Sequence, residues 1–317
     1  MGVLLRPLLE ATGDVNTPGE HIWNFSRLNS AAGWWGIAFL IFWTPFGLVL
    51  CTLRMVFMPV AMMLYVFADR LGCGEHYARV VQPFFGFCVT LRGVENLRRS
   101  AAPIIASNHV SDFDAVAIWA ALPPTEQRLV TNDHARPVIS LAWCLGWPIE
   151  PIFVSSTRVR EDIAAAVREA KEGAMRRRRK PVLIFPEGRS TSGITVMRFH
   201  DFVFSLGQPV VPCAIRLTNP WPLQVQCNGG VAWLRNLLWL FFVPGVHYDV
   251  TFLPVAAAMG RDEGASSFAE KVREAICSQL GVPASKLSGK DKVAFSQSRR
   301  AAKGMAAPRT PSRLADV

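Results

Sequence analysis

His109 and Asp114 are the residues whose types and spacing suit proton transfer; they lie five apart in Ile104-Ile105-Ala106-Ser107-Asn108-His109-Val110-Ser111-Asp112-Phe113-Asp114. On one continuous helix that separation points two side chains roughly 140° apart, so a shared proton requires a turn between them. With His109 in a loop and Asp114 in the first turn of a helix, the carboxylate reaches one ring nitrogen, fixes the tautomer and stabilises the imidazolium. The other nitrogen is then free to accept a proton. The same residues also fit a plainer arrangement, a loop histidine beside two helix-capping acids, Asp112 and Asp114.

The flanking pattern supplies such a turn. Pro103 to Ala106 reads as a buried strand, and Asp112 to Ala121 as a helix with Val116, Ala117 and Ala120 at helical spacing. His109 therefore sits at a strand-to-helix junction, where side chains face clefts. Arg128 to Thr131 and Ile152 to Val154 read as further strands. Arg160 to Arg178 reads as an amphipathic helix, with Ile163, Val167, Ala170 and Ala174 on one face and Glu161 and Asp162 at its N-terminus. A strand from Val182 to Phe185 then delivers Pro186-Glu187-Gly188-Arg189 to the same sheet edge as the dyad. Gly188 would let backbone amides approach a phosphate, and Arg189 offers a planar fork for bidentate contact with one. Glu187 reads either as part of that clamp or as an ion-paired strand end. Val210 to Ile215 and Tyr248 to Leu253 are the remaining strands, and Phe268 to Leu280 is a late helix.

Asn108-His109 followed by four residues and Asp114, then Phe185-Pro186-Glu187-Gly188-Arg189-Ser190, then Val210-Val211-Pro212, together resemble the glycerolipid acyltransferase superfamily. Phe153-Val154-Ser155-Ser156, the Phe199 region, Phe252-Leu253-Pro254-Val255 and Leu280-Gly281-Val282 more narrowly resemble its lysophosphatidylcholine acyltransferase branch, to which the ancient ubiquitous protein of lipid droplets is related. The resemblance covers roughly Leu53 to Lys290. It implies an α/β fold, a mixed central sheet flanked by helices, with an N-terminal membrane-embedded helical segment. It also implies transfer of a fatty acyl group from acyl-CoA to the free hydroxyl of a lysophospholipid: lysophosphatidylcholine, lysophosphatidylethanolamine or lysophosphatidic acid. His109 would be the general base and Asp114 its orienting acid. Glu187, Gly188 and Arg189 would bind the acceptor, and Val210 to Pro212 would help line the acyl pocket. Ser156 stands where the family commonly has an arginine for the acceptor phosphate, so Arg158, or Arg160 beyond it, is expected to substitute. Arg189 occupies the threonine position of the family's Glu-Gly-Thr box, which leaves the headgroup open. Acyl-CoA is expected as a co-substrate, with no permanently bound cofactor.

Composition narrows the classes. Half the residues are hydrophobic, mean hydropathy is +0.23 and the formal net charge is +10, a balance that favours a lipid surface over nucleic acid as partner. The run Arg176-Arg177-Arg178-Arg179-Lys180 has no interleaved aromatics and reads as a solvated helix end, so no nucleic-acid partner is expected. Seven cysteines without a C-x-x-C pair, and six histidines without ligand spacing, argue against a disulfide framework and a structural metal, and fit a reducing compartment. Ser111 lacks a G-x-S-x-G elbow, which disfavours a hydrolase. A non-catalytic membrane scaffold is the alternative; the presence of both His109 and Asp114 argues against it.

Along the chain, residues 1–30 read as a peripheral segment and 31–68 as the membrane-embedded part. Ala31 to Leu53 is uncharged and as a helix would measure about 34 Å, enough to cross a hydrocarbon core of about 30 Å. Arg54 interrupts before a second apolar run. The alternatives are a single span or a hairpin turning at Thr44-Pro45-Phe46-Gly47; both leave His109 on the cytosolic side of the endoplasmic reticulum or a lipid droplet. Residues 69–282 form the catalytic domain, in which Val231 to Val246 suits an interfacial helix. Residues 283–317 read as a disordered basic tail.

Overall fold

A computed structural model describes residues 22–23, 27, 33–144, 149–155, 157–175, 180–227, 233–260 and 263–302. The helices are α1 (Gly33–Arg70), α2 (Gly74–Val81), α3 (Val94–Arg99), α4 (Asp114–Ile118), α5 (Arg136–Cys144), α6 (Val159–Met175), α7 (Phe202–Ser205), α8 (Trp233–Phe242), α9 (Ala265–Leu280) and α10 (Gly289–Ala302). The strands are β1 (Phe87–Arg92), β2 (Ile104–Ser107), β3 (Arg128–Thr131), β4 (Ile152–Phe153), β5 (Val182–Ile184), β6 (Val210–Thr218) and β7 (Val246–Phe252).

The strands form one sheet in the order β1-β7-β6-β2-β5-β3-β4. Every neighbouring pair is parallel except β6 with β7, so β1 and β7 run against the other five and the sheet is mixed, as expected. β2 is apolar on both faces because both are covered. Ile105 packs with α4 and α8 on one side, and Ile104 and Ala106 pack with α6 and α9 on the other. β7 alternates instead: Val246, Tyr248, Val250 and Phe252 are buried, and His247, Asp249 and Thr251 are only partly so.

Helix α1 is the one described helix long and apolar enough to cross a membrane. At 38 residues it measures about 57 Å. The chain runs helically through Pro45, so the hairpin turn at 44–47 is not formed. One face of α1 is docked on the domain from Phe39 to Asp69. Phe39 stacks on Trp221, Trp43 donates to the Phe242 carbonyl, Tyr65 meets Tyr77 edge-on, and Asp69 accepts from Thr125. The opposite face exposes Ile41, Phe42, Val49, Val56, Val60 and Phe67.

Arg54 does not interrupt this helix. It is 2% exposed, and its guanidinium donates to the carbonyls of Phe84, Leu240, Phe241, Val243 and Pro244. A helix C-terminus leaves its last carbonyls unpaired and carries partial negative charge, so a cation there satisfies both. Arg54 thereby fastens α1 to the end of α8, whose Leu237, Leu240, Phe241 and Phe242 are buried while Leu234 and Leu238 remain exposed.

Described residues within the 1–30 and 283–317 stretches correct the sequence reading. Ile22 and Trp23 are buried against Met197, and Arg27 donates to the carbonyls of Gln224 and Val225, so these residues of the 1–30 segment are integral rather than peripheral. The stretch read as a disordered tail contains α10, whose Phe295 lies 5.4 Å from Trp23. Its charged residues hid the pattern: Lys292 is buried, and Leu287 and Phe295 pack against the Ile22 and Trp23 cluster.

Candidate active site

Strand register brings the two sequence motifs together. Ala106 pairs with Ile184 across the parallel β2 and β5, so the chains leave the sheet side by side. Phe185 then stacks under the His109 ring with centroids 4.6 Å apart, and Glu187 Oε1 accepts the His109 backbone N–H at 2.7 Å. The His109 carbonyl accepts from the Thr191 N–H at 2.8 Å. Asn108 completes the mounting by behaving as one more strand residue. Its side chain donates to the Ile215 carbonyl at 2.9 Å and accepts from the Ile215 N–H at 2.8 Å, extending the ladder to β6.

The turn that the spacing requires is present. Asp114 is the first residue of α4 and is 1% exposed. Its Oδ2 lies 2.9 Å from His109 Nδ1 and accepts the backbone N–H groups of Val110 at 2.7 Å and Ser111 at 3.0 Å. Burial pushes the Asp114 carboxyl up, while the imidazole and the two amides pull the other way. Its negative charge is compensated best when the ring beside it is cationic, the state a general base reaches after taking a proton. With Nδ1 so engaged, Nε2 has no protein partner among the described residues.

His109 opens on a cavity of about 700 Å³. The polar end carries Asp112, Gly188, Arg189, Ser190, His200 and Lys292; the apolar part runs past Phe185 to Met62, Tyr65, Tyr77 and Trp119. Asp112 is not a helix cap. Its backbone N–H donates to Gln226 and its carboxylate accepts from Asn236 at 2.6 Å, which ties it to the wall. Burial lowers His200, aided by Lys290 nearby.

The other expected binding residues divide. Arg189 lines the cavity, and burial lowers its guanidinium. Gly188 lines it too, at φ +67, but its N–H closes the turn onto the Phe185 carbonyl and is not free for a ligand. Glu187 is fully buried and faces away from the cavity. Its two oxygens take the His109 and Met197 amides, so it is a brace and neither an acceptor contact nor an ion-paired strand end. Burial pushes its carboxyl up to about 8 against the pull of those amides and of Lys292. Arg158 is exposed and is not among the residues lining the cavity, while Arg160 lies over the Phe202 ring; Ser156 and residues 176–179 lie outside the described residues. Val210 and Val211 are fully buried in the sheet core and do not reach the cavity.

Lys292 is the site residue that the sequence reading missed. It comes from α10, 178 positions beyond Asp114, and a lysine among Lys, Ser and Ala carries no local signal of burial. All seven cysteines are free thiols, and the described residues contain no cluster of three or more metal-ligating side chains.

The chain is similar to known proteins in sequence and in fold. Residues 88–216 match the acyltransferase family profile. The lipid droplet-regulating VLDL assembly factor AUP1 of Xenopus tropicalis is 29% identical over 86% of this chain and 64% of its own length. The lysophosphatidylcholine acyltransferase of Drosophila melanogaster is 28% identical over 72% of this chain and 42% of its own length. This chain thus spans less than two thirds of either relative. The crystal structure of the 1-acyl-sn-glycerophosphate acyltransferase PlsC from Thermotoga maritima superposes with a TM-score of 0.51, covering 75% of this chain and 98% of that one at 14% identity, a likeness of fold. Residues 88–216, which contain His109 and Asp114, are thus similar to the acyltransferase family in profile, and the chain resembles an acyltransferase in fold.

Proposed function

We propose that the protein transfers a fatty acyl group from acyl-CoA to the free hydroxyl of a lysophospholipid at a membrane surface. The observation that carries this reading is the 2.9 Å contact between His109 Nδ1 and Asp114 at the wall of a cavity with one polar and one apolar end. His109 Nε2 takes the acceptor hydroxyl proton as that oxygen attacks the thioester carbonyl. The tetrahedral intermediate collapses, the carbon–sulfur bond breaks, and the imidazolium returns its proton to the departing coenzyme A thiolate. The products are the diacyl phospholipid and free coenzyme A, with Asp114 holding the ring throughout. Arg189 contacts the acceptor phosphate, and the apolar end of the cavity takes a hydrocarbon chain.

The exposed flank of α1, continued by Leu234 and Leu238, suits burial in one leaflet with α1 lying along the surface. Met62 and Tyr65 of the same helix line the cavity, so the membrane-facing element is also a wall of the site. An endoplasmic reticulum or lipid-droplet address, with the domain on the cytosolic side, is consistent with that arrangement. The test is a panel of lysolipids with one labelled acyl-CoA, run on wild type and His109→Ala. Acylation of at least one lysolipid, lost in the variant, is expected; equal product from both proteins rules the reading out.

A second reading, a lipid-droplet scaffold that keeps the fold, is favoured by one observation: several relatives are named as lipid droplet-regulating factors. It predicts droplet targeting unaffected by His109→Ala and no acylation by wild type.

A further inference from the structure

Two cations line the polar end of the cavity without a direct ion pair, the nearby acids being Asp112 on the same wall and the buried Glu187. Lys292 is 7% exposed, and its Nζ donates to the Ser190 carbonyl. Arg189 lines the same cavity, close enough for its charge to be felt by Lys292. Among the described residues neither forms an ion pair. Asp112, on the same cavity wall, is held by Asn236, and Glu187 is occupied by the His109 and Met197 amides. Cys227, also near Lys292, is a buried thiol. Two desolvated positive charges in one pocket repel each other and lack hydration, which favours an anion able to meet both.

The position of Lys292 is firmly set. α10 begins at Gly289, where a side-chain carbon would come within 3.0 Å of the Glu187 carbonyl and 3.4 Å of Arg189 Cγ, so the helix starts directly on the loop that carries the site. The Arg198 N–H donates to the Leu287 carbonyl, Arg273 donates to the Ser285 carbonyl, and Phe295 packs on Trp23. This helix lies outside the matched residues 88–216.

We propose that α10 completes the acyl-transfer site: Lys292 and Arg189 together grip one phosphate group of a substrate whose hydrocarbon chain lies in the apolar end of the same cavity. Arg189 supplies a planar fork and Lys292 a point charge, a combination suited to a phosphate monoester carrying close to two charges. The proposal rests on the acyltransferase reading for the identity of the substrate, not for the existence of the anion site. The phosphate belongs to the lysophospholipid acceptor or to coenzyme A, and the two are separable.

The experiment is equilibrium binding to the full chain in detergent, without turnover, of lysophosphatidic acid against monoacylglycerol and of coenzyme A against its dephospho form. Wild type is expected to prefer the phosphate-bearing member of at least one pair. Lys292→Met and Arg189→Met should each lower that preference about tenfold or more, and Lys292→Arg should keep most of it. Loss confined to the first pair identifies the acceptor; loss confined to the second identifies the donor. A Lys292→Met protein that binds every ligand as wild type does would overturn the proposal. Should that variant not fold, protection of Lys292 in wild type from reductive methylation by the phosphate ligand, but not by its uncharged counterpart, gives the same answer, and absence of protection refutes it. Binding loss with no acyl transfer by wild type would leave the anion site standing and remove only the acyltransferase reading.

Discussion

Glu187 Oε1 accepts the backbone N–H of His109 at 2.7 Å, so the second motif holds the first by its main chain. Its other oxygen takes the Met197 amide. Glu187→Ala strands two buried donors, each costing about 1–3 kcal/mol, and should lower both melting temperature and kcat. Unchanged thermal unfolding and activity would show that the brace is dispensable.

The same carboxyl makes stability depend on pH. Burial holds it up to about 8, so the folded protein keeps a proton that the unfolded chain gives up near 4.5. A folded pKa raised above the unfolded one makes stability fall as pH rises between those values. Lys292 is lowered to about 7 and works in the opposite sense above that pH, so the clean window is pH 5 to 7. There, wild type should lose on the order of 1 kcal/mol per pH unit relative to Glu187→Gln, which does not titrate. Chemical unfolding of both proteins at pH 5, 6 and 7 reads the difference, and parallel curves would refute it.

His109→Ala should cut turnover by about 10²–10⁴-fold. Asp114→Asn should fall in the same range while the fold persists, because an amide cannot stabilise the imidazolium as a carboxylate does. Single-turnover rates with saturating lipids separate this chemical loss from weaker binding.

Asn108→Ala removes both contacts to Ile215 and leaves a buried N–H and C=O unpaired, at about 1–3 kcal/mol each. Because that ladder fixes the chain just before His109, kcat should drop more than the acceptor KM rises. An intact kcat would mean that the histidine is placed by Glu187 and Thr191 alone.

Met62 lies in the cavity wall formed by α1. Met62→Trp should shift acyl-CoA preference toward shorter chains, by roughly fourfold in kcat/KM for each buried methylene displaced, since a buried CH₂ contributes about 0.8 kcal/mol. A chain-length series with both proteins checks it; an unchanged profile would place the acyl chain elsewhere.

Arg54→Met leaves four carbonyls at the end of α8, and that of Phe84, without their donor and should destabilise by about 1–3 kcal/mol for each that stays unpaired. Protease resistance of the detergent-solubilised protein would fall, with cleavage near α8.

Local pattern alone determined the strand-to-helix junction at His109 and the delivery of Glu187 to Arg189 by a strand, because backbone periodicity and turn chemistry are encoded within a few residues; the helix it read from Asp112 to Ala121 is regular only from Asp114 to Ile118. The uncharged stretch after Ala31 likewise announced an apolar helix. Tertiary structure decided what the side chains do once there. Glu187 became a brace because the β2 and β5 register sets its carboxylate against the His109 amide, and register joins residues 78 apart. Arg54 turned from an interruption into a fastening because the carbonyls that receive it belong to residues 30 to 190 positions away. Lys292 entered the site for the same reason: burial of a charge is a property of its surroundings, and those surroundings are assembled only when α10 folds back onto the loop that carries Arg189.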